Sequence, residues 1–286
     1  MFRNPELRFW VFFVKKILKS KSMITNLDNR SLLRVSGKDA QVFLQSQFSN
    51  DINKIQSKEI QLNAYCQHQG KIIALLWVFV KNDVFYISLP TDINDIVIAK
   101  LNTFKMMSDV LIEDFSSDIN QYGLIDENSE KSFKIKNNLS LLTTRKSIEI
   151  NADYDLWEHA CIANNLPEIS RQTTEKFIPQ ALNLDIDEFG VSFTKGCYPG
   201  QEIVARMHYL GKPKRRLFQF ISEFEASIGD SINVKGSKSL KSSGEVIRVA
   251  KVEENYHLMA TFEVSHTNEL IYLNNDINKS ITIINA

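Results

Sequence analysis

The spacing of apolar positions changes several times along the chain, and each change predicts a different kind of element. Leu32-Leu-Arg-Val-Ser36 predicts a strand and Gly37 a turn; Ala40, Phe43, Leu44 and Phe48 then fall on one face of a helix entered through Lys38-Asp39 and closed by the polar turn Ser49-Asn-Asp51. Beyond Ile60 the pattern becomes that of hairpins: a strand Gln61–Cys66, a turn Gln67–Lys71, a strand Ile72–Val80, a turn Lys81–Asp83 and a strand Val84–Leu89. The nine apolar residues from Ile72 to Val80 form the longest such run and read as a buried strand. Ile93, Ile96, Val97, Leu101 and Phe104 restore helical spacing after Thr91-Asp92, and strand-like pieces follow at 110–112, 122–125, 133–135 and 139–143. Asp153–Asn165 is a second amphipathic helix carrying Leu156, Trp157, Ala160 and Cys161. Past Pro213 no helix is predicted: six short turn-bounded runs, 217–221, 231–234, 244–252, 257–264, 270–273 and 281–284, describe a small antiparallel barrel or sandwich. The order predicts an α+β chain, with helices laid on one face of a mostly antiparallel sheet and a separate all-β unit at the end.

Composition narrows the class. At 286 residues there is room for two or three compact units, and 43% hydrophobic with 24% charged residues describes an ordinary soluble protein. Lys plus Arg equals Asp plus Glu at 34 each, so no overall field draws nucleic acid and no strong direct nucleic-acid binding is expected. The local basic run Lys212-Pro-Lys-Arg-Arg216 reads as a solvated strand entry. Three separated cysteines, Cys66, Cys161 and Cys197, argue against a disulfide framework and for a reducing, cytoplasmic setting, and none stands in a metal-binding spacing. In the first 22 residues only Phe9–Val14 is continuously apolar, too short to span a bilayer or serve as a secretory signal. The segment's basic character suits an organelle-matrix presequence or a surface helix, and Met23 offers an alternative start immediately before the first globular pattern.

The most unusual chemistry lies between Val191 and Arg206. Val191 and Phe193 alternate with Ser192 and Thr194 as in a short strand, Lys195-Gly196-Cys197 turns, and Pro199 suits the first position of a helix striped by Ile203, Val204 and Met207. Cys197 thereby sits ahead of unpaired helix N–H groups, with Lys195 beside it and Arg206 within reach, a setting that favours thiolate. A small packing residue in a turn is the equal alternative, and both readings stand open here.

Phe177-Ile-Pro-Gln-Ala-Leu-Asn-Leu184, Lys195-Gly-Cys-Tyr-Pro-Gly-Gln-Glu202 and Val204-Ala-Arg206 together resemble the signature of the YgfZ folate-binding family, a branch of the aminomethyltransferase (glycine-cleavage T-protein) superfamily. Val35-Ser-Gly37, Phe43-Leu-Gln45, Ser49-Asn-Asp51 and Gln69-Gly-Lys71 agree in order. The resemblance implies a T-protein-like three-domain ring: a folate-binding α+β domain from residues 24–58 and 150–215, an inserted α+β domain at 59–149, and a barrel from 216. It also implies tetrahydrofolate or a derivative as ligand, and iron–sulfur proteins or their assembly machinery, including tRNA-modifying enzymes, as partners. Carried over residue by residue, Cys197 is the implied functional thiol with Lys195, and Gly196, Tyr198 and Gly200 complete the motif. Trp157 matches an aromatic near the folate, while Arg30 stands where relatives often carry a second aromatic. A flat, amide-rich, anionic ligand also suits Gln180, Asn183, Gln201, Glu202 and Arg206 as polar partners. The alternative within the superfamily is an aminomethyltransferase, although no Arg-Thr-Gly-Tyr-Thr-Gly-Glu-like stretch is present.

Overall fold

The computed structural model describes residues 22–106, 108–127, 129–236 and 241–285; the expected N-terminal extension lies outside them except for its last residues. Among the described residues fifteen strands and four α-helices follow in order. Strands β1 (Met23–Asn26) and β2 (Arg30–Ser36) precede helix α1 (Ala40–Gln47), and β3 (Gln61–Cys66), β4 (Ile72–Lys81) and β5 (Val84–Pro90) precede α2 (Asn94–Phe104). Next come β6 (Leu111–Asp114), β7 (Asn120–Ile125), β8 (Ser132–Lys136), β9 (Leu139–Thr144), α3 (Tyr154–Ala163) and α4 (Gln201–Leu210). The chain ends in β10 (Arg215–Ser222), β11 (Ser231–Val234), β12 (Gly244–Val252), β13 (Asn255–Glu263), β14 (Ile271–Leu273) and β15 (Ser280–Asn285).

Three sheets result, in the orders β3-β4-β5-β2-β6, β1-β7-β9-β8 and a closed barrel β10-β13-β12-β11-β14-β15. The uninterrupted apolar run of β4 is explained by burial on both faces. Leu76 and Val78 pack with Leu44, Val97 and Leu101 under α1 and α2, while Leu75, Trp77 and Phe79 enter a second core shared with α3, α4 and the barrel. The β4–β5 turn is two residues long, and Asn82 and Asp83 take φ of 51° and 60°, as a right-twisted hairpin requires.

Strand β2 is apolar on both faces, with Leu32 in one core and Leu33 and Val35 in the other, so it is stable only between two neighbours. It finds them in β5 and β6, and β1 pairs with β7. Residues 24–58 and 59–149 therefore share both sheets, and residue 58 is not a boundary between sheets.

Pairing of β10 with β15 closes the barrel and removes its edges. Phe218, Phe220, Val246, Leu258 and Phe262 fill it. Leu217, Ile247, Ala250 and Met259 face the other way and join the central core, which docks the barrel on α3. Trp157 of α3 lies against Gly123 of β7, where a methyl group would stand 2.5 Å from the indole.

Candidate functional site

The signature segment folds differently from its local pattern. Residues 191–194 form no strand; Ser192 N instead donates to Ser49 O at 3.0 Å, while Ser49 Oγ donates to Gly190 O. Helix α4 begins at Gln201 rather than Pro199, because Gly200 is its N-cap with φ of 80°. A Cβ there would stand 2.5 Å from Gln67 O, so glycine is required twice over, by backbone angle and by the 67–70 turn packed against it. Gly196, by contrast, faces open space.

Cys197 is exposed in this turn, whereas burial pushes the Cys66 and Cys161 thiols up to about 12. The Lys195 ammonium is engaged by backbone carbonyls. Its side chain is buried, and Nζ donates to the carbonyls of Gln45, Phe48 and Asn50 while standing 5.2 Å from the Tyr198 ring centroid. Burial lowers its pKa to about 8, with Asp51 opposing. Lys195 thus fastens the motif to the C-terminal end of α1, whose unpaired carbonyls suit a cation. Tyr198 is buried beside it, while Glu202 and Arg206 are exposed on α4 and Gln201 half-buried in its first turn. Gln180 is buried and donates to Val204 O at 2.8 Å; Asn183, in the left-handed region at φ 57°, donates to Leu217 O at 3.1 Å. These two amides brace α4 and the barrel.

The other two expected ligand residues are deep in the protein. Trp157 is 1% exposed and meets Trp77 edge-on at 6.4 Å. Arg30 stacks on Trp77 with its guanidinium carbon 3.6 Å from the ring centroid, and its donors reach Ser88 Oγ, Ser88 O and Glu168. The Arg30 guanidinium is thereby engaged by the protein's own indole.

Arg30 leads to a group of residues that local pattern did not single out. Arg248 of β12 bonds both carboxylate oxygens of Glu158 at 2.6 Å and Glu168 Oε2 at 3.3 Å, and Tyr154 Oη donates to Glu158 at 2.6 Å. The Arg248, Glu158 and Glu168 side chains are 3%, 8% and 12% exposed. Burial works against the Arg248 charge, but Glu158, Cys161 and Glu168 outweigh it and raise its pKa. Tyr154 is likewise raised, by burial first and then by Glu158.

Tyr154, Glu158, Glu168 and Arg248 line a cavity of about 520 Å³, with Pro90, Ile228, Ile247 and Val249 as its apolar wall. Glu168 Oε1 and Arg248 Nε lack a hydrogen-bond partner. An unpaired acceptor and an unpaired donor thus belong to two residues that line one cavity. None of residues 195–202 is among those lining it. The sequence signal was weak: Glu158 and Glu168 are charged residues on or just after an apolar helix, and Arg248 interrupts an apolar strand. Among the described residues no group of three or more His, Cys, Asp or Glu is placed to hold a metal, and no helix is long and apolar enough to cross a membrane.

No protein-family model matches the chain. A Haemophilus influenzae protein described only as uncharacterized is 34% identical over 245 residues, covering 81% of this chain and 86% of its own length. The tRNA-modifying protein YgfZ of Aliivibrio fischeri is 29% identical over 266 residues, covering 82% and 83% respectively. That of Buchnera aphidicola is 29% identical over 268 residues, covering 80% and 83%. Among solved structures, the glycine cleavage system aminomethyltransferase T of Bartonella henselae superposes with a TM-score of 0.64 over 96% of this chain and 88% of its own, at 9% identity, a likeness of fold. Two sheets and a closed barrel in the T-protein arrangement, together with relatives that span most of its length, show that the chain belongs to the YgfZ family on the aminomethyltransferase fold.

Proposed function

We propose that this protein is a tetrahydrofolate-binding accessory factor for iron–sulfur proteins, including enzymes that modify tRNA, and that the folate occupies the cavity between α3 and β12. The observation that carries the folate reading is the pairing of unpartnered Glu168 Oε1 with unpartnered Arg248 Nε in the residues lining a 520 Å³ cavity. A reduced pterin presents an amino group and ring N–H to a carboxylate and a carbonyl to a guanidinium, the two kinds of group that Glu168 and Arg248 bring to this cavity. Pro90, Ile228, Ile247 and Val249 supply the apolar wall for its faces. The names of the Aliivibrio and Buchnera relatives support the link to tRNA modification, and the family resemblance supports the iron–sulfur clients. Cys197, exposed where Cys66 and Cys161 are buried, is the thiol available to a client.

Calorimetric titration of the full chain with tetrahydrofolate tests the reading. Saturable binding is expected, weakened about 10-fold or more by Glu168→Gln, roughly the cost of a charge-assisted hydrogen bond. No saturable heat up to millimolar ligand would overturn it. An aminomethyltransferase would in addition release ammonia from an aminomethyl-lipoyl donor when tetrahydrofolate is supplied.

A further inference from the structure

A second cavity, of about 840 Å³, opens where the edges of the two open sheets meet. The meeting is made by backbone: Lys134 N donates to Lys58 O at 2.8 Å and Ile60 N to Lys134 O at 2.7 Å, which fastens the chain entering β3 to the edge strand β8. Around it stand Lys58, Lys81 at the end of β4, Lys131 before β8, and Arg145 and Lys146 after β9. All five are exposed, and none forms an ion pair among the described residues. Glu130 is the only acid among the lining residues. In a chain with equal numbers of acidic and basic residues this is a local excess, brought together from four separate segments.

The chemistry of the groove narrows its occupant. A single phosphate or carboxylate neutralises one or two charges and leaves the rest in mutual repulsion, so the occupant carries several anionic groups. Val80, Ile119, Leu142 and Ile148 give the same groove an apolar floor. A run of unpaired nucleotides supplies both, one flat apolar base per phosphate, whereas an acidic peptide has charge without flat faces. Of the basic run Lys212–Arg216, the two arginines are committed elsewhere: Arg216 pairs with Asp185, and Arg215 donates to Ser242 O and approaches Glu263 at 3.8 Å.

We infer that this groove binds single-stranded RNA through its sugar–phosphate backbone. The choice of RNA over DNA rests on the proposed service to tRNA-modifying enzymes; the groove as a polyanion site does not.

Fluorescence anisotropy of a labelled 12-nucleotide RNA with the full chain tests the inference. Micromolar binding is expected at 50 mM salt, and log K should fall against log salt with a slope near −3.5 if all five cations meet phosphates, at about −0.7 per contact. The Lys58→Glu/Lys146→Glu variant should lose at least about 30-fold, and the milder Lys81→Gln/Arg145→Gln pair about 10-fold with a slope shallower by about 1.4. Lys251→Glu, exposed on the barrel, should change nothing. Equal loss in Lys251→Glu, no loss in either groove variant, or equal binding of a polyglutamate peptide of matched charge overturns the groove. Equal binding of the DNA of the same sequence overturns the RNA assignment alone. Tetrahydrofolate titration of the same variants, which should be unchanged, separates failure here from failure of the folate reading.

Discussion

Replacing Arg248 by leucine isolates the ionic cluster at the centre of the protein. The leucine removes two contacts of 2.6 Å to Glu158 and one of 3.3 Å to Glu168, and leaves Glu158, 8% exposed, without a cation. Were the pairs on the surface the loss would be within about 1 kcal/mol, because water would replace them. At this burial the remaining charge cannot be solvated, and the cost rises to about 3–5 kcal/mol. Arg30 still reaches Glu168, so most of the penalty falls on Glu158. The penalty is that of a carboxylate charge buried without a cation, so it is largest at neutral pH, where carboxylates are ionised, and fades in acid as that charge is removed. Urea unfolding of the two proteins at pH 7.5 and pH 4.5 measures this directly. The deficit should be at least about 3 kcal/mol at the higher pH and clearly smaller at the lower. Adding Glu158→Gln to the leucine variant should recover part of the loss. A deficit below 1 kcal/mol, or one that does not change with pH, would refute the assignment of these groups as a desolvated ionic cluster.

Three further outcomes are expected. His159 and His257 meet edge-on at 4.5 Å between α3 and β13, and burial lowers both from 6.5 to about 4, His159 adding to the effect on His257. A depressed folded-state pKa means the unfolded chain takes up the protons first, so stability is complete above about pH 6.5 and falls on the way to pH 4, by up to about 3 kcal/mol per ring at about 1.4 kcal/mol per pH unit. His257→Gln should flatten that part of the stability–pH curve, and an unchanged curve would count against it. Gly123→Ala drives a methyl group to 2.5 Å from Trp157 and should cost about 1–3 kcal/mol, read as a lower thermal midpoint. A thiol reagent should label Cys197 alone in the native protein and all three cysteines in urea, since Cys66 and Cys161 are buried; fast native labelling of a second thiol would contradict the core as described.

Much of the fold is legible because its determinants are local. Turn residues such as Asn82-Asp83 set the β4–β5 hairpin, and the six alternating runs after Pro213 correspond to the barrel strands. Local pattern misled where a distant partner decided the outcome. Val191 to Thr194 alternates like a strand, yet the neighbour it meets is Ser49 through one backbone bond, not a ladder. The cavity was illegible for the same reason. Tyr154 and Glu158 are one helical turn apart, but Arg248 arrives from the barrel and Glu168 from the loop after α3, and no spacing rule joins them. Trp157 and Arg30 stand out in the sequence, but which face of an indole or guanidinium is covered depends on Gly123 and Trp77.

The Lys195 cradle has a consequence during synthesis. The carbonyls of Gln45, Phe48 and Asn50 leave the ribosome 145–150 residues before the ammonium that satisfies them. At about 5–20 residues per second that is an interval of roughly 7–30 s. Over that time the end of α1 stays open to water or to any other cation, and β2 waits for β6 to complete its sheet. The N-terminal third therefore cannot finish folding in the order in which it is made, and the signature segment acts as the late closure of a structure begun at the other end of the chain.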